Sequence, residues 1–139
     1  MDLGLRDKKA IVTGASEGIG RAITRALAHE GADVAICARR KGPLEKTAAE
    51  IIKETGRRIV PIVADLTKPV DVETFIRSAH AALGRIDILV NNAGSAPGGV
   101  LEHLTEEDWA QALQLKFMGY VRCMKHTLPI MQKQKKAVL

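Results

Sequence analysis

Aromatic side chains are scarce in this sequence, with one Trp, one Tyr and two Phe in 139 residues. That scarcity removes the stacking platform on which single-stranded nucleic acids are held. Only two cysteines occur, Cys37 and Cys123, and no C-x-x-C spacing joins them. One falls in a predicted strand and the other in a predicted helix, which reads as two buried, reduced thiols of a cytoplasmic protein rather than a disulfide or a metal site. His29, His80, His103 and His126 are scattered, without carboxylate support at ligand spacing, so no metal is expected. No apolar run approaches membrane-spanning length, and the start Met1-Asp2-Leu3-Gly4-Leu5-Arg6 is not a signal peptide. Charge of one sign is not concentrated either. The net charge is +5, but the basic residues are spread out apart from Lys133, Lys135 and Lys136, which disfavours a nucleic-acid partner. What remains is an ordinary balance of 46% hydrophobic and 27% charged residues, at a length that fits one domain, 1–139, with a real core.

The stretch Thr13-Gly14-Ala15-Ser16-Glu17-Gly18-Ile19-Gly20 organises the rest. It follows the short apolar run Lys9-Ala10-Ile11-Val12 and precedes Ile19, Ala22, Ile23, Ala26 and Leu27, whose spacing predicts one apolar helix face. Three glycines between a strand and a helix point to a backbone that approaches something closely. The candidate is an anionic phosphate held at the positive end of a helix. The spacing G-x-x-x-G-x-G differs from the G-x-G-x-x-G fingerprint, and a purely structural turn stays open on this stretch alone.

Strand and helix signals then alternate. Asp33–Ala38 reads as a second strand after Gly31, a plausible cap. Gly42-Pro43 opens a helix through Leu44, Ala48, Ile51 and Ile52 that ends near Gly56. Residues 59–64 read as a third strand with Pro61 suited to a sheet edge. Pro69 begins a helix whose stripe Val72, Phe75, Ile76, Ala79 and Leu83 stops at Gly84. Residues 86–90 form a fourth strand, running into Asn91-Asn92-Ala93-Gly94. After residues 95–99, whose composition is the most flexible in the chain, Thr105 and Asp108 are expected to cap a long helix carrying Trp109, Leu113, Phe117, Tyr120 and Met124, kinked by Pro129. Residues 137–139 resemble the start of a fifth strand. Alternation of this kind builds βαβ units and a parallel sheet. Asp87 reads as a hydrogen-bonded structural carboxylate, and Glu106, Glu107 and Asp108 as first-turn acids answering the helix dipole.

These residues together resemble the short-chain dehydrogenase/reductase family along the whole chain. Thr13-Gly14-x-x-x-Gly18-x-Gly20 is similar to its cofactor loop, Asn91-Asn92-Ala93-Gly94 to its sheet-supporting motif, and Asp65-Leu66 to its adenine-reading pair. Trp109, Gly119, Leu128-Pro129 and Met131 follow its helix pattern. The resemblance implies an α/β, Rossmann-type, doubly wound parallel sheet with helices on both faces, truncated here at the start of the fifth strand. It implies a dinucleotide site built from Thr13, Gly14, Ser16, Gly18, Ile19, Gly20, Asp65, Leu66, Asn92, Ala93 and Gly94. It also implies a small carbonyl or alcohol substrate in a complete enzyme.

Charge decides the cofactor expectation. NAD sites place a carboxylate at the end of the second strand, on the ribose 2′-hydroxyl. Here Ala38-Arg39-Arg40 stand there, and an arginine pairs with a 2′-phosphate that a carboxylate would repel, so NADP(H) is favoured over NAD(H). Solvated surface charge is the other reading of Arg39 and Arg40. Glu17, where many NADP-dependent family members carry a base, weakens the preference. The family's Tyr-x-x-x-Lys is absent: Tyr120 is the only tyrosine, Met124 stands four residues on and Lys125 five. Tyr120 is therefore read as a packing aromatic. The family serine and the Tyr-Lys helix belong beyond Leu139, and Lys116 occupies the expected asparagine position, where it cannot accept a hydrogen bond. The chain is expected to be the cofactor-binding part of an NADP-dependent oxidoreductase. The alternative is a non-catalytic nucleotide-binding or structural module. If these residues were the whole polypeptide, it would be inert and poorly stable as a monomer, and either association as a homo-oligomer through the 105–133 helix or a further segment is expected to cover that face.

Overall fold

Buried strands and amphipathic helices in strict alternation satisfy the backbone of parallel neighbours only through crossovers, and this chain adopts that solution. The computed structural model describes residues 1–94 and 98–134. Strands β1 (Lys9–Thr13), β2 (Asp33–Ala38), β3 (Ile59–Val63) and β4 (Ile88–Val90) form one parallel sheet in the order β3-β2-β1-β4. Between them run α1 (Gly18–His29), α2 (Lys41–Thr55) and α3 (Pro69–Leu83). A short 3-10 turn (Leu101–His103), α4 (Glu106–Ala112) and α5 (Gly119–Gln134) follow.

Successive strand residues point to opposite faces, and both faces are covered. Ala10, Val12, Val34 and Ile36 pack with Ala28, Leu44, Ala48 and Ile51 of α1 and α2. Ile11, Ala35, Cys37 and Leu89 pack with Phe75, Ile76, Cys123 and Met131 of α3 and α5. Every member of the predicted α3 stripe is buried, Pro69 opens that helix, and Gly84 closes it in the left-handed region. Pro61 lies exposed on edge strand β3, where its missing N–H costs nothing in the ladder.

Four expectations need correction. The buried face of α1 is Gly20, Thr24 and Ala28, flanked by half-buried Ile23 and Leu27, whereas Ile19 is 72% exposed and Ala22 and Ala26 lie outside. The helix turns its smallest residues inward so that Gly20 can sit against Gly14, and that rotation swings Ile19 out. In α2, Ile52 is exposed, because Leu44, Thr47, Ala48 and Ile51 fill the inner face. β4 is shorter than the run 86–90, since Ile86 and Asp87 precede the ladder with β1. The long last helix is not one regular helix with a single irregularity at Pro129. A π-helical segment, Leu113–Met118, separates α4 from α5 and resets their phase. Consequently Trp109, Leu113, Phe117 and Val121 are exposed, while Tyr120 and Met124 are half-buried. The capping box of Thr105 and Asp108 forms as expected. Residues 137–139, Lys135, Lys136 and Ser95-Ala96-Pro97 lie outside the described residues.

Charges tie the amino ends of the strands. Asp33 accepts from Lys9 Nζ at 2.5 Å and from the Arg58 N–H at 3.1 Å, and pairs with Arg57 at 3.1 Å. Asp87, 5% exposed, accepts from the Lys9 N–H at 2.9 Å and from Arg85, as a structural carboxylate should. Burial opposes the charge of Asp33, but Lys9, the Arg58 N–H and Arg57 outweigh it and hold its carboxyl below the usual range. A depressed folded value stabilises above the unfolded pKa, and that contribution disappears as pH falls through the folded one. Asp33→Asn is therefore expected to lose about 1–3 kcal/mol at pH 7 in urea unfolding. The gap to the wild type should shrink below the ordinary carboxylate value of about 3.9.

A candidate dinucleotide site at the carboxyl ends of the strands

Thr13 closes β1, and its side chain is completely buried. Its hydroxyl accepts the N–H groups of Asn92 and Ala93, both at 3.0 Å, and lies 3.5 Å from the Val90 carbonyl. Asn92 returns the contact: its Nδ2 donates to the carbonyls of Thr13 at 3.2 Å and Gly14 at 3.0 Å. Two loops from adjacent strands, 78 to 80 residues apart in sequence, are thereby locked together. Thr13 and Asn92 use their polar atoms on each other, so their part in the site is to position backbone.

That locking brings backbone very close. A β-carbon on Gly14, at φ 65°, would lie 2.7 Å from Ala93 Cα, and one on Gly20 would lie 2.2 Å from the Gly14 carbonyl oxygen and 2.5 Å from Asn92 Nδ2. Both positions exclude any side chain. The loop is held from two more sides: Ala15 N–H donates to the Cys37 carbonyl at 3.1 Å, and Thr47 Oγ1 of α2 donates to the Ser16 carbonyl at 2.7 Å. Thr47 was not a candidate in the sequence. A threonine inside the stripe Leu44, Ala48 and Ile51 was the available signal.

The amino end of α1 is left free. Glu17 precedes it in extended backbone without a side-chain capping bond, and no acid occupies the first turn. The first N–H groups of α1, beginning at Gly18, Ile19 and Gly20, therefore lack carboxylate competitors within the helix and offer a positive end to an anion. The residues fit a dinucleotide pyrophosphate: a free helix terminus faces a loop in which every Cβ at the closest approach is absent.

Around this centre lie the other candidates. Arg39 and Arg40 follow β2 and are exposed, with no ion pair to a carboxylate among the described residues. Asp65 accepts from the Thr67 N–H at 3.0 Å and its hydroxyl at 2.7 Å. Burial works against its charge, but those bonds, with Lys68 and Arg39 nearby, keep its carboxyl below the usual range. Leu66 is 3% exposed and packs beneath Gly119, so its side chain belongs to the core. Ala93 is nearly buried against Gly14, and Gly94 is exposed with the Lys116 stem beside it.

The phenol and the two thiols are unsuited to moving protons near neutrality. Burial raises the Tyr120 phenol above its ordinary value, away from neutrality. Burial pushes both thiols up to about 12, Cys37 despite a hydrogen bond from the Gly14 N–H, so both stay protonated and unreactive. Among the described residues no group of His, Cys, Asp and Glu could hold a metal, and no helix is long and apolar enough to cross a membrane.

Thr13→Val keeps the shape but leaves the Asn92 and Ala93 N–H groups without their acceptor. It is expected to cost about 1–3 kcal/mol of stability in thermal or urea unfolding, with Thr13→Ser close to wild type.

The family model described as short chain dehydrogenase matches residues 8–139. An uncharacterised oxidoreductase of Staphylococcus saprophyticus is 38% identical over 132 residues, covering 94% of this chain and 52% of that protein. The L-sorbose reductase of Gluconobacter frateurii, solved with NADPH and L-sorbose, superposes with a TM-score of 0.93 at 32% identity, over 99% of this chain and 53% of its own. A xylitol dehydrogenase solved with NAD+ gives 0.91 at 29% identity, over 96% and 52%. The chain thus spans about half the length of the relatives it matches. The parallel sheet with its flanking helices is the fold of these solved structures, and the chain belongs to the short-chain dehydrogenase family.

Proposed function

We propose that these residues form the cofactor-binding part of an NADP(H)-dependent oxidoreductase acting on a small carbonyl or alcohol. The observation that carries the reading is the cradle at Gly14 and Gly20 facing the uncapped start of α1. When bound, the nicotinamide supplies the carbon that gives or takes a hydride. The chain's own residues bind and orient: α1 through its free N–H groups, Thr13 and Asn92 by fixing the loops, and Asp65 at the end of β3. No Tyr-x-x-x-Lys pair occurs in the sequence, so proton transfer is not assigned to any of these residues. Two buried free thiols accord with a cytoplasmic setting.

The NADP(H) preference rests on Arg39 and Arg40 rather than on relatives, since the similar structures include one with NADPH and one with NAD+. Among the described residues neither guanidinium is in an ion pair, and both stand exposed just after β2, beside the place where the adenosine ribose meets a doubly wound sheet. They would pair bidentately with a 2′-phosphate. Exposed Glu17 lowers the local potential without removing the pair.

Self-association is proposed through the exposed stripe that runs from α4 across the π-helical segment into α5. Trp109, Leu113, Phe117 and Val121 are between 37% and 61% exposed on consecutive turns, and covering each large side chain contributes about 1.5–3 kcal/mol. A second copy presenting the same stripe would cover all four.

Two outcomes are expected. Fluorescence titration should show Arg39→Ala or Arg40→Ala weakening NADPH by about 1.5–3 kcal/mol, ten- to a hundredfold, with NADH little changed; equal NADPH and NADH affinities in wild type would remove the argument. In sedimentation velocity, Phe117→Asp should shift the protein toward monomer, and a wild type already monomeric at high concentration would contradict the proposed interface.

A further inference from the structure

Lys116 carries a charge for which the dinucleotide reading has no task so far. It lies in the widened turn Leu113–Met118, and its stem runs across Gly94. A methyl group built on Gly94 would meet Lys116 Cε at 3.4 Å, Cδ at 3.5 Å and Cγ at 3.6 Å. Among the described residues its ammonium pairs with no carboxylate. Its charge is therefore not neutralised by any described carboxylate and acts on whatever binds beside Gly94.

The strand order says what that is, granted the dinucleotide reading on which this inference rests. The pyrophosphate belongs at the amino end of α1, directly after β1, and the adenosine half lies toward β2, where Arg39 stands. β4 flanks β1 on the opposite side, so the other half of the molecule extends over the carboxyl end of β4. Gly94 with Lys116 across it is at that end. The two redox forms of the cofactor differ there by one charge: the oxidised nicotinamide ring is a cation and the reduced ring is neutral.

We infer that Lys116 is a specificity-determining residue that sets the balance between the two forms, its ammonium disfavouring the cationic ring and leaving the reduced cofactor as the better ligand. The asparagine that the family resemblance leads one to expect at this position has no charge with which to do so. A site biased in this way holds the hydride donor, and suits the chain to the reducing direction. The effect needs no contact with the ring. A unit charge several ångströms away in a partly wet cleft changes the ratio of dissociation constants by about three- to tenfold.

The ratio Kd(NADP+)/Kd(NADPH) isolates this effect, because any attraction between Lys116 and the phosphates is common to both forms and cancels. Both constants are measured by calorimetric titration on the full-length protein for wild type, Lys116→Met, which keeps the apolar stem over Gly94, and Lys116→Arg, which keeps the charge. The expected result is a ratio that falls about three- to tenfold in Lys116→Met and stays near wild type in Lys116→Arg. Fold retention is checked by circular dichroism, and exposed Lys116 should tolerate both changes. An unchanged ratio in Lys116→Met, with both forms still binding, would overturn the role of Lys116 and leave the dinucleotide site standing. A wild type that binds neither form would overturn the dinucleotide reading, and this inference with it.

Discussion

The site depends on one buried hydroxyl. Thr13 accepts two N–H groups from the turn after β4 while Asn92 reaches back to two carbonyls of the loop after β1. Four hydrogen bonds thus close a junction between strands whose loops are nearly eighty residues apart in sequence. Buried donors and acceptors left unpaired there would each cost about 1–3 kcal/mol, so the junction is either complete or absent. The close packing of the glycines follows from its completeness. With the loops clasped, a Cβ on Gly14 would meet Ala93 and one on Gly20 would meet both the Gly14 carbonyl and Asn92, beside the point where the strand order turns from β1 to β4.

The two ends of the sheet divide the labour. At the amino ends, Asp33 and Asp87 gather Lys9, Arg57 and Arg85 into paired charges, and Asp33 also accepts the Arg58 backbone N–H, which together fix strand positions. At the carboxyl ends the opposite holds, and charges are left unpaired: Arg39, Arg40, Lys116 and the helix terminus all lack local partners among the described residues. The unpaired cationic groups thus lie at the carboxyl ends of the strands, the end of a doubly wound sheet at which ligands bind.

Much of this was legible beforehand, for specific reasons. The α3 stripe and its flanking Pro69 and Gly84 could be read because periodicity, cap and breaker all agreed. Pro61 announced an edge strand because a missing N–H has few tolerable places. The apolar spacing of α1 misled, since Ile19 looked like core when the close contact of Gly20 with Gly14 decides which way that helix turns. The π-helical segment Leu113–Met118 carries no proline or glycine within it, and its effect on which aromatics face outward was hidden for that reason. Thr47 and the Lys116–Gly94 contact are tertiary events, with only a polar residue in an apolar stripe or an unexpected charge as signal. The glycine loop was recognised by its spacing, but its reason, steric exclusion at 2.2 and 2.7 Å, belongs to the folded molecule.

The central claim is that the crevice formed by the Thr13–Asn92 junction holds a dinucleotide across β1, with its phosphates on α1 and its two halves over β2 and β4. Amide chemical-shift mapping of the isotope-labelled protein during titration with NADPH tests this most directly. The account predicts that the largest shifts fall on 14–20, on Arg39 and Arg40, and on 92–94, with 65–66 following, while the amino-end cluster around Asp33 and Asp87 stays still. Saturable shifts centred anywhere else, or none at millimolar cofactor, would contradict it.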